Sequence, residues 1–281
     1  MIPISFSSFQ EKISSLIEKS AINSWNWIYW VFFFGIIPAI IVTIPIIIHS
    51  IPPASRTPPL DFVNQTFILN SNFPSLLSMF FANYSHIEIT HLCSNLLMYF
   101  IVISIIFLLE KNKQVFIISS TFFFVVFPYL NSISSIVFFQ NTQIINPTFI
   151  GFSGIDFAFL GYSLYLICKI FCEGIFNIKD DDWNDYTVSQ KNKYIQNVFF
   201  LNILIVFAIP IMALAVSAFT VHFGSLVNGF AHFTGFTSGL LIPLILVIIK
   251  SKKIDKFEMT LLIYIIFTLS FYIAYLFRIF Q

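Results

Sequence analysis

Three short stretches carry the residues able to do chemistry. "GFSG" at 151–154 sets Ser153 between two glycines inside an otherwise apolar run. "HLCSN" at 91–95 puts His91 and Asn95 four apart, on one face of a helix. "NGFAHFTGFTSGL" at 228–240 holds His232, with Gly235 and Gly239 three and seven residues later. A serine hydroxyl is a weak nucleophile until a base takes its proton, and histidine is the usual base near neutral pH. A tetrahedral intermediate then needs donors aimed at its oxyanion. Ser153 at the first turn of a helix would have free backbone N–H groups beside it. His91 and Asn95 both carry side-chain N–H donors. The combined chemistry is acyl transfer. Taken one at a time, the same residues have plainer readings. A serine in an apolar helix is packing glue or a hydroxyl bonded to its own backbone. His91 and Asn95 make an ordinary interhelical pair.

The elements that must position these residues are membrane spans. The chain has 281 residues, 58% of them hydrophobic and 10% charged, with a mean hydropathy of +0.88. A soluble domain has too little polar side chain at that composition to cover its surface, so lipid is the solvent for most of the chain. A net charge of +1 implies no nucleic-acid partner. Cys93, Cys168 and Cys172 all fall in apolar runs and form neither a disulfide framework nor a zinc site; no metal and no cofactor is expected. Apolar runs of roughly 20 residues predict seven spans, at 27–49, 89–109, 115–138, 150–173, 198–219, 226–249 and 258–279. The segment before them, with "FSSFQEKISSLIEK", has the spacing of an interfacial amphipathic helix. Trp25, Trp27, Tyr29 and Trp30 bracket the inner interface of the first span.

Charge fixes the expected orientation. Lys12, Lys19, Lys111, Lys113, Lys179, Lys191, Lys193, Lys250, Lys252, Lys253 and Lys256 fall on one side, and only Arg56 and Arg278 on the other. The positive-inside rule then predicts a cytoplasmic N-terminus and an outside C-terminus. The second, fourth and sixth spans all enter from the outside face, and His91, Asn95, Ser153 and His232 all lie roughly 3–10 Å below those helix starts. The spacing of Gly235 and Gly239, and of Gly154 and Gly161, lets the fourth and sixth spans approach closely. Pro243 is expected to kink the sixth span. Asn228 is expected to cap it, and His49 and His222 to be interfacial. Phe149, Phe152 and Phe159 are expected to face lipid or to pack.

Together, "SHIEITHLCSNLLMYF", "GFSGIDFAFLGY" and "NGFAHFTGFTSGLL" resemble the rhomboid intramembrane serine proteases. The shared patterns are H-x-x-x-N in the second span, G-x-S-G opening the fourth and H-x-x-G-x-x-x-G in the sixth. They occur in that order, and the resemblance covers about residues 73–249. It implies an all-α polytopic membrane protein, a six-helix rhomboid-like core plus one C-terminal transmembrane helix. The division is then a cytoplasmic segment 1–26, a core 27–249, and a cytoplasmic loop with the seventh span at 250–281. It implies a Ser153–His232 dyad without an aspartate, and an oxyanion hole from His91, Asn95 and the Ser153 backbone N–H. Phe157 is expected to pack on His232, with Gly154, Gly235, Gly239 and His86 supporting the dyad. The implied substrates are single-span membrane proteins cut near the outer leaflet, and the implied location is a prokaryotic plasma membrane.

The chain departs from the family pattern in three places. No Trp-Arg pair occurs in 50–85, and the acidic residue after the second span, Glu110, stands far from Asn95. Asp156 occupies a position that tends to be apolar. It either orients a water or a donor near the dyad or is satisfied by a neighbouring helix, and the second outcome is expected. Two other classes compete. One is a catalytically inactive rhomboid-like protein that binds membrane clients for quality control. The other is a small-solute transporter, against which the absence of an internal repeat argues.

Overall fold

A computed structural model describes residues 25–50, 65–140, 148–175, 187–189 and 229–251, with isolated positions between 258 and 266. The predicted amphipathic segment, the fifth span, most of the 174–197 connection and of the seventh span, and Asn228 and His222 lie outside the described residues. The chain is helical. Its elements are α1 (Trp27–Val31), continuing through a π-helical turn into α2 (Ile37–Ser50); β1 (Leu69–Asn70); α3 (Leu76–Phe81); and α4 (Ile89–Leu109). Then come α5 (Lys113–Thr121), continuing through a second π-helical turn into α6 (Phe127–Gln140); β2 (Thr148–Phe149); α7 (Ser153–Ile175); and α8 (Gly229–Ser251).

Four helical stretches are long and apolar enough to cross a membrane: Trp27–Ile48, Ile89–Leu109, Lys113–Val137 and Ala231–Ser251. The chain is thus a multi-pass helical membrane protein. Helices satisfy every backbone group within one segment, which lipid demands. Trp27, Ile46, Leu97, Ile101, Val137 and Ile249 stay exposed, as lipid-facing side chains should. The fifth long helix, α7, has 23 residues, about 34 Å at 1.5 Å each. It carries more polar groups, and most of its described side chains are buried.

Side-chain bonds set the helices antiparallel. At one end, Trp25 Nε1 donates to Phe107 O at 3.0 Å. Lys250 Nζ reaches Asn112 Oδ1 and Gln114 Oε1 at 3.1 Å each. Glu110 ends α4 there, accepting from the Tyr162 hydroxyl at 2.6 Å and the Asn112 N–H at 2.6 Å. Burial pushes the Glu110 carboxyl above its usual range, and these two donors offset only part of that rise.

At the opposite end, Leu69 pairs with Phe149 and Asn70 with Thr148 in a two-residue antiparallel ladder. Between the ends runs an aromatic core of Phe33, Tyr99, Phe107, Phe116, Phe123, Phe124, Phe152 and Phe159. Phe152 and Phe159 are fully enclosed, so packing, not lipid contact, is their role. One bond explains a proline: Pro128 has no N–H for the Phe124 carbonyl four residues earlier, and the Tyr84 hydroxyl donates to that carbonyl instead.

Candidate active site

The site is assembled where β2 gives way to α7. Gly151 has φ of +137°, a conformation that side-chain-bearing residues rarely adopt. Its N–H donates to Ala82 O at 2.9 Å, and a Cβ there would stand 3.5 Å from His91 Cε1. The chain can therefore turn sharply against the start of α4. Phe152 anchors the turn among Tyr84, Tyr99 and Phe124, and its carbonyl accepts the first helical bonds, from Ile155 at 2.9 Å and Asp156 at 3.2 Å. Ser153 is the first residue of α7, so its own N–H and that of Gly154 have no acceptor within the helix.

His232 Nε2 lies 2.7 Å from Ser153 Oγ. The Phe157 ring stacks on the imidazole with centroids 4.4 Å apart and planes 11° from parallel. For the hydroxyl to donate, Nε2 carries the lone pair and the proton sits on Nδ1. Among the described residues no carboxylate hydrogen-bonds to His232. Absent side chains make the approach possible. A Cβ on Gly235 would collide with the Gly154 carbonyl oxygen, one on Gly239 with that of Ala158, and one on Gly161 with that of Phe236. Gly154 acts differently from the expected stripe. The space its missing side chain leaves is filled by α6, with Asn131 Nδ2 at 3.0 Å and Phe127 at 3.5 Å. Its Cα faces α6, and only its carbonyl faces α8.

His91 and Asn95 stand at the start of α4, with Asn95 buried. The Asn95 Nδ2 donates to His86 Nε2 at 2.8 Å, and the Phe152 N–H points at the same nitrogen at 3.5 Å. Two donors on one ring nitrogen make it the acceptor, so the His86 proton is on Nδ1, which has no partner among the described residues. His86 and His91 rings meet edge to face at 5.3 Å. Burial, then the electrostatic interaction with neighbouring His91, push His86 down to about 4, so it is neutral at pH 7. His86 thus braces Asn95. The second amide hydrogen of Asn95 has no acceptor among the described residues.

Asp156 is fully buried, and neither carboxylate oxygen has a hydrogen-bond partner among the described residues. Phe152 and Phe159, four before and three after it, both pack on Tyr99. Asp156 shares that face of α7. The expected partner on a neighbouring helix is therefore not found among the described residues. Glu110 lies at the other end of the bundle with Tyr162. Cys93 is exposed and Cys168 buried, both unbridged, and among the described residues no three His, Cys, Asp or Glu gather as metal ligands.

Sequence reasoning missed a polar cluster beside the site, made by Asn83, Asn131, Ser132 and Thr234. The signal was present: "FFANYS" and "YLNSISS" carry asparagine inside apolar runs, where an amide persists only with a partner. It also missed the ladder that ties Leu69–Asn70 to the segment before Ser153, because two-residue strands have no periodicity to read. No protein-family model, no curated protein and no solved structure matches the chain.

Proposed function

We propose that the chain is an intramembrane serine endopeptidase of the rhomboid type, cutting single-span membrane proteins near the outer leaflet. The observation that carries this reading is the 2.7 Å contact between Ser153 Oγ and His232 Nε2, made under the stacked Phe157 ring. The serine hydroxyl gives its proton to His232 as it attacks the scissile carbonyl. The oxyanion meets the Ser153 N–H, the free amide hydrogen of Asn95 and the His91 ring. The imidazolium then protonates the leaving amine, and a water deprotonated by the same ring releases the acyl group. No carboxylate need hold His232, because the Phe157 face and the close α7–α8 contact restrict its ring. In this reading the fold is the six-plus-one arrangement, with the N-terminus cytoplasmic, the C-terminus outside, and the site opening outward, in a prokaryotic plasma membrane.

The test is cleavage of a single-span substrate in liposomes by wild type, Ser153→Ala and His232→Ala. Both variants are expected to lose at least about a thousandfold in rate, in line with removal of a catalytic nucleophile or base. A fluorophosphonate probe is expected to label the wild type and not Ser153→Ala. Equal cleavage by Ser153→Ala would end the dyad assignment. Binding of the substrate without cleavage by the wild type would favour the inactive client-binding reading.

A further inference from the structure

We propose that Asn131 is a positioning residue that, through Thr234, sets the rotation and depth of α8 so that His232 meets Ser153. This inference rests on the Ser153–His232 reading above. The α7–α8 contact is made of glycine faces and backbone carbonyls. Such a surface lets the two backbones approach closely, and side-chain hydrogen bonds add the directional constraint that van der Waals packing does not carry. A 2.7 Å hydrogen bond between side chains on two helices tolerates neither turning nor sliding of one against the other.

The directional contact comes from a buried chain of amides. Asn83 Nδ2 lies 2.8 Å from Met79 O, 3.0 Å from Ser132 Oγ and 3.2 Å from Pro128 O. Two of these are backbone carbonyls, which only accept, so the nitrogen of Asn83 must face them. Its oxygen is then the acceptor for Asn131 Nδ2, at 2.8 Å. That orients Asn131 in turn, with its oxygen toward the Thr234 hydroxyl at 3.2 Å. The Thr234 proton is shared with Ala231 O at 3.0 Å. Every amide in the series has one allowed orientation, fixed from the α3 end. Asn83, Asn131 and Ser132 are all buried, so water does not compete for the bonds among them, while the Thr234 end of the series is half-buried.

The geometry explains why this chain acts on His232. Asn131 Nδ2 also lies 3.0 Å from where a Cβ on Gly154 would be, so the amide rests against the residue after the nucleophile. Thr234 is two residues after His232, about 200° around α8 at 3.6 residues per turn. The helix is therefore held on two nearly opposite sides, by Ser153 through His232 and by Asn131 through Thr234. Asn131 touches both the Ser153 strand-to-helix turn and the His232 helix, and it fixes one against the other.

The experiment compares wild type, Thr234→Val, Thr234→Ser and Asn131→Leu in liposomes, with Ser153→Ala as control. Four quantities are measured: kcat and KM on a single-span substrate, the rate of fluorophosphonate labelling, and the ¹⁵N shift of His232 Nε2. Thr234→Val and Asn131→Leu are expected to lower kcat and labelling by about tenfold or more, as ångström-scale misplacement does. KM is expected to stay within about twofold, because Asn131 and Thr234 act on His232 rather than on the substrate in this proposal. Thr234→Ser, which keeps the hydroxyl, is expected to restore most of the rate. The His232 Nε2 shift should change in Thr234→Val and not in Thr234→Ser. An unchanged shift and labelling rate in Thr234→Val, or equal defects in Thr234→Ser and Thr234→Val, would overturn the proposal. Should Ser153→Ala cleave as well as wild type, the dyad falls, and the His232 shift still decides whether Thr234 orients that ring.

Discussion

His86 sits on an acid-sensitive bond. Its Nε2 accepts from Asn95 only while the ring is neutral, and its pKa is lowered to about 4 by burial and by His91. A free histidine takes its proton near 6.5. Between those two values the unfolded chain binds more protons than the folded one, so stability falls as pH falls through that window. The wild type is therefore expected to lose up to about 3 kcal/mol more between pH 7 and 4 than His86→Gln, read from denaturant unfolding in detergent. Parallel curves for the two proteins would show that His86 is not held neutral. Asp156 makes the opposite case. A buried carboxyl with no partner among the described residues is a net loss to the fold. Asp156→Leu is expected to raise stability by about 1–3 kcal/mol, and a fall would reveal a partner for this carboxyl. Turnover by Asp156→Asn that matches wild type across pH would assign the residue to packing.

At the scale of the element, the α7–α8 pair decides whether the site exists. The Gly235, Gly239 and Gly161 positions all face backbone carbonyls, which have no rotamer to yield. Gly239→Val must push the two helices apart. It is expected to cost about 1–3 kcal/mol by overpacking and to slow fluorophosphonate labelling of Ser153 at least about tenfold. The same substitution at Gly35, which has nothing within 4 Å of a built Cβ, is expected to leave labelling unchanged. Equal labelling by Gly239→Val and wild type would mean that the close contact is dispensable. The α4–α5 turn is held by a different device, with Glu110 accepting from Tyr162 and the Asn112 N–H.

On the scale of the whole molecule, the two ends of the bundle differ in kind. One end holds Lys113 beside Trp25 and Lys250 beside Asn112. The other holds the β ladder, the amide series, and the Ser153 and His232 helix starts. With the positive-inside rule, the lysine end is expected to face the cytoplasm. Cysteine placed at Asn112 should then react with a membrane-impermeant thiol reagent only after the membrane is opened. Cysteine placed at Phe73, on the other end and 80% exposed, should react in intact cells. The reverse pattern would invert the protein and put the site on the inner face.

Much of this was legible in the sequence, and for a physical reason. Spanning helices write themselves as long apolar runs, because a single segment in lipid must satisfy its own backbone groups; the helices Trp27–Ile48, Ile89–Leu109, Lys113–Val137 and Ala231–Ser251 follow that rule. The residue types of the site, Ser153, His232, His91 and Asn95, were visible because each is a polar group in an apolar context. The sequence did not show which polar groups pair. His86 bonds to Asn95; the space beside Gly154 is taken by Asn131 while its carbonyl meets α8; Asp156 finds no partner among the described residues. The Asn83–Asn131–Thr234 series joins residues up to 151 positions apart in the chain. Hydropathy and spacing are local quantities along one helix, so they determined what each segment is and how deep its polar residues lie. Which side chains come within 3 Å depends on the rotation of each helix against its neighbours, and only the tertiary packing decides that.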